Sequence, residues 1–187
     1  MKDVPFIKEM LQKGNEAKDK VIVEFPNMTL QQLNWKPAPS SWSIAQCLDH
    51  LVIADSSYFP ALKKIFEGTY AMTIWERWSP FSAICGRILV DKLQEHAKKK
   101  MKAPKVFRPS TSNIDIGIIE RFYQHHDIFM DYIASCDNTD LDRTNITSPA
   151  IRFVTYNLRN AIKLLVRHEH RHINQAIRVK QSKDFPE

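Results

Sequence analysis

The chain has 187 residues, which is long enough for one domain with a real hydrophobic core and short for two. Hydrophobic residues make up 43% and charged residues 26%, as in ordinary globular proteins, and three cysteines are too few for a disulfide framework. The net charge is +6, and the presence of only four glycines argues against a β-rich or loop-rich design, so we expect a single domain over residues 1–187.

The excess positive charge lies in one segment, Arg87–Arg108, which contains eight Lys or Arg residues and two acidic residues. A nucleic-acid interface would be favoured by aromatic side chains among the basic ones or by a docking helix with base-reading side chains. Phe107 is the one aromatic residue in this segment. We therefore interpret the basic stretch 96–108 as a solvated loop and expect no nucleic-acid partner.

The N-terminal residues do not resemble a signal peptide, because they carry charges at Lys2, Asp3, Lys8 and Glu9 and no apolar run. No stretch of about 18 uncharged apolar residues occurs elsewhere, so we predict no membrane span. A cytoplasmic location without a membrane partner is the expectation.

Four segments show the periodicity of amphipathic helices. They run from about Pro5 to Glu24, from Ser41 or Ser43 to Gly68 with a break or bend at Pro60, from about Ser112 to Ser135, and from about Val154 to Lys180. The connection between the second and third is long, and "ICGRILVDKLQEHAKKK" within it could form a further helix. The pattern predicts an all-α four-helix bundle with a long crossover between helices 2 and 3, in which sites face the bundle core.

Two histidines of the last predicted helix continue its apolar face. Steps of three and four residues keep side chains on one face, and here they pass through Ala161, Leu165, His168, His172, Gln175 and Val179. His170 lies on a different face and is the least expected ligand of the three nearby histidines. In the second predicted helix, His50 lies on a line of small residues, which leaves space around its ring.

Together, the positions of His50, His168 and His172 predict a metal site. Buried imidazoles must be hydrogen-bonded or coordinated, and three of them converging in one core would be unfavourable without a shared cation. An i, i+4 pair, His168 and His172, plus His50 from a neighbouring helix supplies three nitrogen ligands with room for water or substrate. The alternative is that each histidine is a structural core residue.

The segment "HEHRH" also fits the pattern H-E-x-x-H of zinc proteases, in which the glutamate is the general base. The extended form of that pattern needs a glycine and a histidine where this chain has Gln175 and Arg178. The other design needs a downstream glutamate, and after His172 only the terminal Glu187 is available. We interpret the match as incidental and expect Glu169 to be solvated or salt-bridged.

Several stretches resemble the DinB-like (damage-inducible) metal-binding four-helix bundles. They are "LNWKPAPSSWSIAQCLDHLVIAD" at the second helix, "RHEHRHINQAIRV" with its H-x3-H-x2-Q ending, "KAPKVFRPS" and "NITSP". Trp42 and His50, combined with the distant His168, His172 and Gln175, carry the resemblance, which covers essentially the whole chain.

The resemblance implies a divalent metal ion, commonly nickel or zinc, held by His50, His168 and His172. It also implies homodimers in some members. Some relatives resemble thiol-dependent S-transferases or isomerases that use a low-molecular-weight thiol cofactor, and others resemble metal-dependent hydrolases. The chain keeps all three histidines but shows no thiol-binding motif.

Two functions follow as hypotheses. The first is a metal-dependent enzyme of the S-transferase or hydrolase type acting on a small-molecule substrate, because a bound divalent ion can activate a water or a thiol near neutral pH. Gln175, one turn beyond His172, is then the candidate cofactor-binding residue, and His125 or His126 could assist proton transfer or lie at the core edge. The second is a non-catalytic metal- or ligand-binding module of a stress response.

We expect Cys47 to be a small core residue.

Overall fold

The computed structural model describes residues 3–79 and 104–187. The described helices are, in chain order, α1 (Val4–Glu24), α2 (Leu30–Asn34), α3 (Ile44–Ser56), α4 (Phe59–Phe66), α5 (Ile74–Trp78), α6 (Ile118–Ser135) and α7 (Leu158–Lys180). Single 3₁₀ turns occupy Lys105–Phe107 and Cys136–Asn138. Two short antiparallel strands, β1 (Asn145–Thr147) and β2 (Thr155–Asn157), pair with Ile146 opposite Tyr156.

Four long helices form the body of the fold, and the all-α prediction is confirmed. α1 and α3 each pack against both α6 and α7. Apolar side chains at helical spacing are buried in two of these helices: in α1 they comprise Phe6, Met10, Ala17 and Val21, and in α6 they comprise Ile118, Phe122, Phe129 and Ile133. Burial of large apolar side chains at helical spacing is therefore what holds the bundle together.

The second predicted helix is divided in two, as its proline suggested. α3 ends at Ser56, and Pro60 lies in the first turn of α4, where its missing N–H leaves no intrahelical hydrogen bond unmade. Gly68 follows α4 with a φ of 67°, a left-handed conformation that glycine adopts without strain.

The predicted starts of the last two long helices were wrong. The third was expected from about Ser112 but begins at Ile118, because the backbone of Ile114 is tied to the Asn34 side chain through its N–H and its carbonyl, each at 2.8 Å. The fourth was expected from Val154 but begins at Leu158, because residues 155–157 form β2 first. Asn157 then caps α7 by accepting the Asn160 N–H at 3.0 Å.

The long crossover contains α5 and the turn Lys105–Phe107. The helix considered for "ICGRILVDKLQEHAKKK" lies outside the described residues, as does most of the basic stretch 96–108. Within residues 3–79 and 104–187, the helices are all too short or too polar to cross a bilayer.

Candidate metal centre

The three predicted histidines meet between α3 and α7. One nitrogen from each of His50, His168 and His172 lies within 4.8 Å of the other two. The Nε2 atoms of His50 and His168 are 3.1 Å apart, and the three ring centroids are separated by 4.4 to 4.9 Å. Two nitrogens bound to one ion at about 2.0–2.1 Å and tetrahedral angles would be about 3.4 Å apart, so this spacing suits a shared cation.

The ring of His50 is oriented by a backbone carbonyl. Its Nδ1 is hydrogen-bonded to the carbonyl oxygen of Phe107, and because that oxygen can only accept, Nδ1 carries the proton. The Nε2 atom, which faces His168, therefore carries a lone pair. Metal-ligating histidines are oriented in this way by an oxygen on their second nitrogen.

The segment that carries Phe107 is fastened to α3 by polar side chains of the helix. Asp49 accepts hydrogen bonds from the backbone N–H of Ser110 at 2.7 Å and from its hydroxyl at 2.9 Å. Gln46, which completes a capping box with Ser43, donates to the Thr111 carbonyl at 3.0 Å. The residues around His50 thus hold the loop whose carbonyl orients the His50 ring.

Trp42 and Gln175 complete the surroundings of the cluster. The Trp42 ring lies 4.8 Å from His50 and 5.6 Å from His172, measured between centroids. The side chain of Gln175 hydrogen-bonds to His172. Gln175 therefore contacts a candidate ligand one helical turn away from it.

All three rings are held in the neutral form needed for coordination. Burial lowers the pKa of His50, although the hydrogen bond to Phe107 and the charge of Asp49 oppose this. The pKa values of His168 and His172 are lowered well below the usual range, first by burial and then by the neighbouring histidines. Neutral imidazole is the form that ligates a metal.

The residues present fit a divalent transition-metal ion. The donor set is three neutral imidazoles, and the buried Nδ1 of His172 has no hydrogen-bond partner in the described part of the chain. An unpaired buried nitrogen is unfavourable, and coordination is one way to satisfy it. Nitrogen ligands suit zinc, nickel, copper and iron alike, so the donor set alone does not select one of them.

A buried carboxyl group, that of Asp55, lies next to the three-histidine cluster, on the His168 side. Asp55 is fully buried, and its Oδ1 and Oδ2 are each 4.0 Å from a histidine nitrogen, Nδ1 of His168 and Nε2 of His125 respectively. Burial, followed by the negative charge of Glu169, raises the pKa of Asp55 well above its usual range. Asp55 is not on the helical line that carries His50, but as a charged residue directly after the apolar run "LVIA" it is a signal in the sequence for a buried carboxyl group.

Glu169 does not face the candidate metal centre, which agrees with an incidental H-E-x-x-H match. It is fully buried, and its Oε1 is 2.9 Å from Nδ1 of His126. The alternative of a solvated Glu169 was therefore wrong, and the paired alternative is confirmed. His126 is likewise fully buried, so it lies in the core and not at its edge.

The other residues considered from the sequence, His170, His125 and Cys47, pack or hydrogen-bond within the fold outside the three-histidine cluster. His170 is outside the cluster, as predicted, and its Nε2 is 2.7 Å from the carbonyl oxygen of Lys13 on α1. His125 is 7% exposed and stacks on Phe59 with ring centroids 4.6 Å apart. Cys47 is a fully buried core residue, as expected, and burial raises its pKa to about 12, which disfavours the reactive thiolate.

The comparisons with known proteins agree with this geometry. A family model described as the DinB superfamily matches residues 19–176, a range that includes all three histidines of the cluster. No curated protein and no solved structure matches the chain. Because the family match covers well over half of the sequence together with the complete histidine cluster, the chain belongs to the DinB superfamily.

Proposed function

We propose that this protein binds a divalent transition-metal ion through His50, His168 and His172 and is a metal-dependent enzyme. The observation that supports this best is the convergence of three neutral imidazoles from two helices whose histidines are more than a hundred residues apart in sequence. The hydrogen bond that orients His50 adds to it, since the nitrogen left unprotonated faces the other rings.

A catalytic role is favoured over a purely structural one by the number of ligands. Structural zinc sites have four protein ligands, whereas catalytic sites have three and keep one position open. In the described part of the chain, no fourth His, Cys, Asp or Glu joins the cluster. When bound, a divalent ion held by three neutral ligands would supply positive charge that lowers the pKa of a water or a thiol.

The chain's own residues would then hold and orient the reactants. The three imidazoles hold the ion, and the Phe107 carbonyl keeps His50 in the required tautomer. Gln175, which is hydrogen-bonded to His172, would offer an amide group to a bound reactant. We propose a thiol-dependent S-transferase or a hydrolase as the reaction type, with a small-molecule substrate.

A non-catalytic metal-binding module is the second candidate. The observation in its favour is the depth of the cluster, because His50 is only 1% exposed and Trp42 packs against two of the three rings. Such a site would admit an ion but offer little surface to a substrate. The low-molecular-weight thiol and the homodimer stay predictions of the family resemblance. The cytoplasmic location stays a prediction from the sequence alone.

Elemental analysis of the purified protein tests the metal site. We expect about one divalent ion per chain in the wild type and a clear loss in His50→Ala and in His172→Ala. His170→Ala is the matched control, since His170 is also a buried histidine of α7 but bonds to the Lys13 carbonyl. Equal metal content in the wild type and both triad variants would contradict the proposal.

A further inference from the structure

Asp55 is an acidic residue in a buried position where a carboxyl group without a function would not be expected. Its side chain is 0% exposed, and neither oxygen has a hydrogen-bond partner within residues 3–79 and 104–187. A buried polar group without a partner destabilises the fold, and a carboxyl group does so more than a neutral one. An apolar side chain at this core position would destabilise the fold less, so the presence of an acidic residue needs an explanation other than stability.

The position of the carboxyl group supplies that explanation. Asp55 Oδ1 lies 4.0 Å from Nδ1 of His168, the ring nitrogen opposite the Nε2 atom that faces His50. In the same way, Nδ1 of His50 is directed at the Phe107 carbonyl oxygen. Both rings of the facing pair therefore present Nε2 to each other and Nδ1 to an oxygen.

A second histidine lies on the other side of the carboxyl group. Asp55 Oδ2 lies 4.0 Å from Nε2 of His125. The His125 ring is itself fixed, because it stacks on Phe59 at an interplanar angle of 15° and its Nδ1 is 3.4 Å from the Ser56 hydroxyl. Asp55 thus lies between a ring that belongs to the candidate metal centre and a ring that is anchored outside it.

We propose that Asp55 is a positioning residue of the metal site: in the metal-loaded protein an oxygen of its carboxyl group accepts a hydrogen bond from Nδ1–H of His168 and holds Nε2 toward the ion. This inference rests on the proposed metal-binding function. The present separation of 4.0 Å exceeds a hydrogen bond, and a ring movement of about 1 Å would close it. Outer carboxylates of this kind typically change metal affinity by about 10- to 100-fold.

The test is the zinc affinity of Asp55→Asn and Asp55→Leu, measured by competition with a chromogenic chelator. We expect both variants to bind Zn²⁺ about 10- to 100-fold more weakly than the wild type, with the larger loss in Asp55→Leu, which has no acceptor atom. Glu76→Gln is the matched control: Glu76 is another buried acid, but it bonds to Thr73 and Thr147 near α5 and should bind Zn²⁺ like the wild type when replaced.

A second measurement separates positioning from support of the fold. The urea midpoints of the metal-free variants should equal or exceed that of the metal-free wild type, because removing a buried unpaired carboxyl group is neutral or stabilising. Affinity and metal-free stability falling together would overturn the inference, since a purely structural residue has that effect. Unchanged zinc affinity in both Asp55 variants would overturn the inference about Asp55 and leave the proposed metal-binding function standing. A wild type that binds no Zn²⁺ would overturn both.

In the zinc-loaded protein, Nδ1–H of His168 gives a third readout. We expect this proton to be visible by nitrogen-edited NMR and slow to exchange in the wild type, and to exchange faster in Asp55→Leu. The same exchange rate in both proteins would contradict a hydrogen bond to Asp55.

Discussion

His50 and His168 lie on different helices, 118 positions apart in sequence, and yet their Nε2 atoms are 3.1 Å from each other. Two bare imidazole nitrogens repel one another at that distance, so a proton or a cation between them stabilises the arrangement. His172, one helical turn from His168, brings a third ring to the same place.

Metal binding should stabilise the folded protein. The three histidines come together only in the fold, so the ion binds the native state in preference to the unfolded chain. At a free concentration of about 100 times Kd we expect about 2.7 kcal/mol of added stability, visible as a higher thermal midpoint with Zn²⁺ or Ni²⁺ than with a chelator. In His168→Ala this difference should disappear, and a midpoint that still rises by the wild-type amount would argue against the site.

Glu169 should contribute to stability and not to metal binding. Its carboxylate pairs with His126 at 2.9 Å, and both side chains are fully buried. We expect Glu169→Ala to lower the free energy of unfolding by about 3–5 kcal/mol, because the partner is left unpaired in the core. Urea denaturation measures this loss, and Glu9→Ala is the control, since Glu9 pairs with Lys13 at the same kind of distance but on the surface. Similar losses in the two variants would contradict the buried pair.

Asp49 should affect metal affinity at a distance, through the loop that it holds. Its carboxylate accepts two hydrogen bonds from Ser110, three residues after the Phe107 whose carbonyl orients His50. Hydrogen bonds to a charged acceptor contribute about 1.5–3 kcal/mol each, so Asp49→Ala should loosen the segment. We expect metal affinity to fall about tenfold. Ser110→Ala, which keeps the backbone donor, should show a smaller loss, and equal affinity in all three proteins would exclude this role.

The stability of the metal-free protein should fall as the pH drops below the usual histidine range. Burial, followed by the charge of His126, lowers the pKa of His125 from 6.5 to about 4 in the folded state. Between these values the unfolded chain binds the proton and the folded chain does not, so acid favours unfolding, by up to about 3 kcal/mol for this residue. Stability is retained above about pH 6.5 and is lost progressively toward pH 4.

The comparison of wild type with His125→Gln isolates this effect. Glutamine does not titrate, so the difference in urea midpoint between pH 7 and pH 4.5 should be smaller in the variant than in the wild type. The other buried histidines are present in both proteins, so their contributions cancel in the comparison. Identical pH profiles would show that the His125 ring titrates normally in the folded state.

Local patterns in the sequence were sufficient for the helices and for most of their inward faces. Burial along a helix repeats every three or four residues, so the apolar positions of α1 and α6 could be read directly. The same periodicity put His168 and His172 on the inner face of α7, and the break before α4 followed from Pro60. These features depend on neighbours within one or two turns, which a sequence displays.

The starts of α6 and α7 could not be read in this way. Residues 112–117 have a pattern compatible with helix, but the bonds between Asn34 and Ile114 hold that backbone against α2 instead. Residues 155–157 pair with β1, a contact between segments that local periodicity does not report. In both places a tertiary hydrogen bond overrides local preference.

The sequence by itself determined which residue types are available to hold an ion and on which helical faces they lie. The tertiary structure alone decided that the Phe107 carbonyl meets the ring of His50, that Asp55 lies between His168 and His125, and that Glu169 pairs with His126 inside the core. The physical reason is range. Helical periodicity acts over a few residues, whereas these contacts join groups that are 43 positions apart for Glu169 and His126 and farther apart for the others.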